Sequence, residues 1–93
     1  MSNAWNKFEW DDENKKNGNV QHLREHGIEP EEAEECFFHD YDFCNDERFD
    51  DIYILDGRTD RSRRLRLVFQ DKGDRLARVF TGWELKPKTK RKR

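Results

Sequence analysis

Apolar residues are scarce in this chain. They make up 32% of its 93 residues, against 43% charged, a balance that approaches the composition of disordered proteins. No run comes near the ~20 consecutive apolar residues that a membrane-spanning helix needs. The N-terminus lacks the apolar segment of a secretory signal, so a cytoplasmic location is expected. Cysteine is limited to Cys36 and Cys44, expected as reduced thiols in that compartment. Internal repeats are absent.

What is present argues for a folded chain. Aromatic residues reach 13% and sit in short apolar runs separated by turn signals. A chain of this length forms one domain with a modest core, here expected over residues 1–85 and rich in Phe, Trp and Leu. The net charge of -2 conceals a strong polarity: residues 1–56 carry a net -12 and residues 57–93 a net +10. Such a chain can offer its basic end to a polyanion, or its halves can neutralise each other in the fold. Residues 86–93 hold six basic side chains in eight and are expected as a disordered tail.

Phe8-Glu9-Trp10 reads as a short strand with both rings on one face. Asp11-Asp12-Glu13 has the chemistry of a helix start, and Asp11 is expected to cap the first helix or to pair with an arginine. Asn17-Gly18-Asn19 is a turn signal, so the start of the first helix stays open between Asp11–Glu13 and Asn19; the helix is expected to bury Val20 and Leu23 and to end at the left-handed cap Gly27. Pro30-Glu31-Glu32 opens a second helix, with Ala33, Cys36 and Phe37 on one face and an end near Phe38 or His39. Residues 40–50 read as an acidic irregular stretch anchored by Tyr41 and Phe43.

Three strands follow. Ile52-Tyr53-Ile54-Leu55 is apolar and β-branched. Over Arg64 to Gln70, Leu65, Leu67 and Phe69 alternate with Arg64, Arg66, Val68 and Gln70. The turn Asp71-Lys72-Gly73-Asp74 leads into a last strand from Arg75 to Trp83. The predicted order is β-α-α-β-β-β: an α+β fold with a four-stranded, mostly antiparallel sheet and two helices on one face. In the last strand, either Ala77, Val79 and Thr81 pack on the helices, which leaves Arg78 and Phe80 on an open face with Arg64 and Arg66, or Leu76 and Phe80 are core and Arg78 reaches a rim carboxylate. Trp10 and Trp83 are expected in the core or at its rim.

Phe8-Glu9-Trp10-Asp11, then Asn19-Val20-Gln21-His22-Leu23, His26-Gly27-Ile28 and Pro30-Glu31-Glu32-Ala33-Glu34-Glu35, resemble in order the N-terminal half of BrnT-type toxins. Glu47-Arg48-Phe49, Gly57-Arg58-Thr59 and Arg78-Val79-Phe80-Thr81 resemble that family's later strand elements, so the likeness covers residues 8–83. It implies a RelE-like fold, a ribonuclease toxin of a type II toxin–antitoxin system, an antitoxin protein as partner, and inhibition of translation by RNA cleavage. The chain departs from the family at three places. Phe80-Thr81-Gly82-Trp83 stands where the family ends its last strand with an Ile-Ser-Ala-Arg-like run, a basic tail replaces the final helix, and Glu25 replaces the lysine before His-Gly. A non-catalytic RNA- or protein-binding relative is the alternative reading.

Metal-independent RNA cleavage attacks phosphorus with the 2′-hydroxyl, so the protein must stabilise phosphorane charge and move two protons. Arginine suits the charge, because its planar fork binds phosphate bidentately. Arg48, Arg58 and Arg78 match family positions and are the candidates for that role. His26 is the candidate for proton transfer, although the end of the first helix also explains it. Arg64, Arg66, Phe80 and Trp83 are candidate RNA-binding residues, since phosphates pair with arginine and bases stack on rings. His22, His26, Cys36, His39 and Cys44 match no zinc-ligand spacing, and no metal or other cofactor is expected.

Overall fold

A computed structural model describes residues 4–86. The elements run β1 (Lys7–Phe8), α1 (Asn19–Glu25), α2 (Pro30–Cys36), β2 (Asp42–Asn45), β3 (Ile52–Arg58), β4 (Arg64–Asp71) and β5 (Leu76–Glu84). They build one five-stranded sheet in the order β1-β5-β4-β3-β2. β1 runs parallel to β5, and the other neighbours pair antiparallel. The α+β class agrees with the sequence reading, but the sheet has five strands rather than four. The additional strand is β2, inside the acidic stretch expected to be irregular. All four of its residues are exposed, so no alternation of burial marks it. It is held by its ladder to β3, where Phe43 pairs with Leu55 and Cys44 with Ile54. The expected disorder of the basic tail falls, from residue 87 onward, outside the described residues. Among the described residues no helix is long and apolar enough to cross a membrane.

Both helices cover one face of the sheet. Leu23, Ile28, Ala33, Cys36 and Phe37 meet Leu55, Leu65, Leu67, Phe69, Ala77 and Val79 in a single cluster. The alternation of β4 is as expected, with Leu65, Leu67 and Phe69 buried and their neighbours facing the other way. In β5 the smaller residues Ala77 and Val79 go inward. Thr81 does not follow them. Phe69 pairs with Val79 and Val68 with Thr81, so Phe80 is an extra residue with no partner. This bulge shifts the phase of the strand by one, sending Thr81 outward and Gly82 inward. A side chain at Gly82 has no room: a Cβ would lie 2.7 Å from Leu67 Cδ2 and 2.8 Å from the Arg66 carbonyl oxygen.

The tryptophan inside the core is Trp5; Trp10 packs at the rim of the core, as expected, and Trp83 does not. Trp5 is 5% exposed and stands edge-on to Phe69 and Phe43 at 4.8 and 5.3 Å between ring centroids. Trp10 is half-buried, and its indole N–H donates to Glu34 of α2 at 2.7 Å. Trp83 is 40% exposed.

Local signals explain the helix ends. Gly27 adopts φ +75°. The N–H of Gly27 donates to Arg24 and that of Ile28 to Leu23, which together satisfy the last carbonyls of α1 in a Schellman arrangement. At the start of α2, Pro30 is in the first turn and the Glu29 N–H donates to the Glu32 carboxylate at 3.0 Å. α2 stops at Cys36, two residues short of expectation. Asn19, 4% exposed, ties three segments together. Its Nδ2 donates to the carbonyls of Glu9 and Val79 (3.0 and 2.9 Å), and its Oδ1 accepts the Asp11 N–H at 2.8 Å.

Candidate nucleic-acid interface

Cross-strand partners share a face, so the ladder registers define the surface opposite the helices. At one end Arg58 stands directly across from Arg64. The next row holds Asp42, Asp56, Arg66 and Trp83, and the row after it Cys44, Ile54, Val68 and Thr81. Ile52, Gln70 and Arg78 form the far row. The open face is therefore charged at the Arg58 end and apolar in its middle.

Two like charges directly opposite each other on neighbouring strands are unfavourable. Neither Arg58 nor Arg64 forms an ion pair among the described residues. The loop between them is what holds them there. Thr59 is 2% exposed, its hydroxyl accepts the N–H groups of Arg61 and Arg63, and its own N–H donates to the Arg63 carbonyl. Ser62 takes φ +66° to close the turn. Arg58 and Arg64, with Asp40, Tyr41, Asp42, Asp56, Gly57 and Ser62, line an open cleft of about 420 Å³. In the next row Arg66 grips Asp56 with both prongs, at 2.7 and 2.8 Å. That bond holds the Asp56 carboxyl below the usual carboxylate range.

The expected site residues do not all gather here. Arg58, Arg64, Arg66 and Trp83 come together at one end of the face. Arg78 lies opposite Gln70, six residues along β4 from Arg64, which is about 20 Å at strand rise. Its guanidinium is clamped by Asp11 at 2.8 and 3.2 Å, with Glu9 at 3.7 Å. Asp11 also accepts the first N–H of α1, from Asn19, at 3.0 Å. The two roles expected of Asp11, helix cap and arginine partner, thus coexist. The Arg78 bond, then the Asn19 N–H, hold its carboxyl at about 2. Arg78, Phe80 and Thr81 border a smaller groove of about 330 Å³ together with His22.

Arg48 is on the loop before β3, where its fork is taken by Asp46 at 3.1 and 3.2 Å and its Cζ lies 5.8 Å from the Phe49 ring centroid. His26 is the C-cap of α1, on the helix side of the sheet, its ring 5.4 Å from that of His22. A single phosphate cannot touch Arg58, Arg78 and His26 together.

Some groups beside the cleft were not singled out in the sequence. Asp40, Asp42 and Ser62 line it, and Tyr41, named there only as an anchor, does too. His39 Nε2 lies 2.7 Å from Asp60 Oδ1, and the Asp60 N–H donates to Glu35 at 2.9 Å. His39 and Asp60 are 21 residues apart, and only the fold brings them into contact. Among the described residues no group of three or more His, Cys, Asp or Glu side chains converges as a metal site. No family model, no curated protein and no solved structure matches the chain.

Proposed function

We propose that the chain is a BrnT-like, RelE-fold toxin of a type II toxin–antitoxin pair, acting on single-stranded RNA at the Arg58–Arg64 end of its open sheet face. The observation that carries the RNA reading is the opposed, unpaired arginine couple across β3 and β4. Among the described residues neither arginine has an ion-pair partner, although Asp40, Asp42 and Asp56 line the same cleft, so both forks are free for a phosphate. Trp83 and Arg66 stand in the next row, so a base can stack beside the bound phosphate. The order of family-like motifs across residues 8–83 supports the toxin identity.

Cleavage at this end uses the chain's own groups and a proton from solvent. Arg58 and Arg64 take the non-bridging oxygens and offset the charge that grows on phosphorus. In this reading a carboxylate of the same cleft, Asp40 or Asp42, accepts the 2′-hydroxyl proton. The freed oxygen then attacks phosphorus, and the 5′-oxygen leaves with a proton from solvent, giving a 2′,3′-cyclic phosphate and a 5′-hydroxyl. The second reading, a non-catalytic RNA-binding relative, is favoured by one observation: Arg78, a family-matched arginine, is bound by Asp11 about 20 Å from the cleft.

The test is incubation of the purified chain with end-labelled single-stranded RNA in EDTA, beside filter binding over a range of salt. Toxin activity predicts cleavage that Arg58→Ala and Arg64→Ala abolish. The non-catalytic reading predicts binding without cleavage, with log K falling by about 0.7 per phosphate contact for each unit of log salt. Neither cleavage nor salt-dependent binding by a folded chain refutes both.

A further inference from the structure

The opposite end of the open face has different chemistry. There Ile52, Val68 and Phe80 line a groove of about 410 Å³ together with Phe49, Gln70, Asp46, Asp51 and Arg48. Phe49 is 54% exposed, yet it does not sit on a loose loop. The Asn45 side chain reaches across the turn, its Nδ2 3.0, 3.1 and 3.0 Å from the carbonyl oxygens of Phe49, Asp50 and Ile52. The Asp46 carbonyl accepts the Phe49 N–H at 3.0 Å, and the Asp46 N–H donates to Ile52 at 2.8 Å. A ring displayed on a pinned turn is a preorganised anchor, because its ordering cost is met before a partner arrives. The rim is acidic. Residues 46–51 hold Asp46, Glu47, Asp50 and Asp51 against one cation, Arg48, and Asp46 already holds that cation.

We propose that this groove is a docking site for a cationic amphipathic segment of another protein, which sets apolar side chains on Ile52, Val68 and Phe80 and lysines or arginines against the rim. The other occupants are weaker. A second copy laid face to face in the same direction would bring two acidic rims together, and one turned end for end is tested by the dimer outcome below. The basic residues 86–93 contain no large apolar side chain, and the chain leaves the sheet at the far end, where the Leu85 N–H bonds the Arg64 carbonyl. RNA phosphates would find no unpaired arginine in this groove, whose Arg48 is held by Asp46. The site does not depend on RNA binding at the arginine end.

The experiment titrates the full-length chain into a fluorescein-labelled helical peptide built of leucine and lysine, with a leucine–glutamate peptide as control. Anisotropy should report binding of the lysine peptide alone. Phe49→Ser, at an exposed position, should weaken it at least tenfold, and Glu47→Lys with Asp50→Lys about as much. Amide shifts should move around Phe49, Val68 and Phe80 and not around Arg58 or Arg64. Equal affinity for both peptides, indifference to Phe49→Ser, or shifts at the Arg58 end would overturn the proposal. So would a chain dimer that Phe49→Ser abolishes, since a second copy would then fill the groove.

Discussion

Replacing Arg64 with glutamine should move stability and RNA affinity in opposite directions. Arg58 and Arg64 face each other across the β3–β4 ladder with no ion-pair partner among the described residues. Taking about 8 Å between the charges and the permittivity of water, their repulsion is about 0.5 kcal/mol, within the range of about 0.2–1 kcal/mol for cross-strand pairs. Unfolding entropy near the midpoint is about 2.1 cal/mol/K per residue, so for this chain about 0.2 kcal/mol/K, and relief of the repulsion raises Tm by about 2–3 °C. In 1 M salt, where screening acts over about 3 Å, the gain should vanish. On RNA the same change removes one charge-assisted contact, about 1.5–3 kcal/mol or tenfold and more in Kd, and lowers the salt slope by about 0.7. Thermal melts by circular dichroism at low and high salt, with filter binding alongside, measure both. A variant that melts lower while binding RNA as the parent does would show Arg64 to be a structural residue and remove the basis of the proposed cleft.

Three further outcomes follow from contacts already described. Asn19→Ala breaks three hydrogen bonds, one buried and two part-buried, and leaves the carbonyls of Glu9 and Val79 without that donor, so urea denaturation should show a loss of about 2–4 kcal/mol; a loss below about 1 kcal/mol would mean that water replaces the side chain. The Asp11 carboxyl sits at about 2 when folded, below its ordinary 3.8, so its contribution is present above about pH 4 and is lost as pH falls toward 2. The urea midpoint of Asp11→Asn should be flatter over that window than the parent's. Burial pushes the Cys36 thiol up to about 12, while Cys44 is exposed, so Ellman's reagent should titrate one thiol in the native chain and two in urea.

The sequence shows an element clearly where its pattern is local. The alternation of β4, the glycine cap at Gly27 and the proline start at Pro30 each act within a few residues, and the structure follows them. β2 has no such pattern, since an edge strand with four exposed residues owes its conformation to the neighbour it pairs with. The bulge at Phe80 left a trace in Gly82, because a lone glycine in a strand often marks one, but Thr81 continued the alternation and hid it. Half of the candidate site was readable: Arg64 and Arg66 follow from period two alone. The fate of Arg78 was not, because its partner Asp11 is 67 residues away, and no local rule chooses among 21 acidic side chains.

The parallel pairing of β1 with β5 bears on how the chain is made. Lys7 finds its ladder partner in Leu76, and Asn19 reaches the Val79 carbonyl. β1 therefore has no ladder partner, and Asn19 lacks its bond to Val79, until β5 has been synthesised, and contacts this distant in sequence form slowly. At about 5–20 residues per second that wait lasts several seconds. During it the acidic half emerges first, and the arginine couple cannot be assembled until β4 has left the ribosome. The face proposed to bind RNA thus stays unfinished until β4 and β5 have both been made.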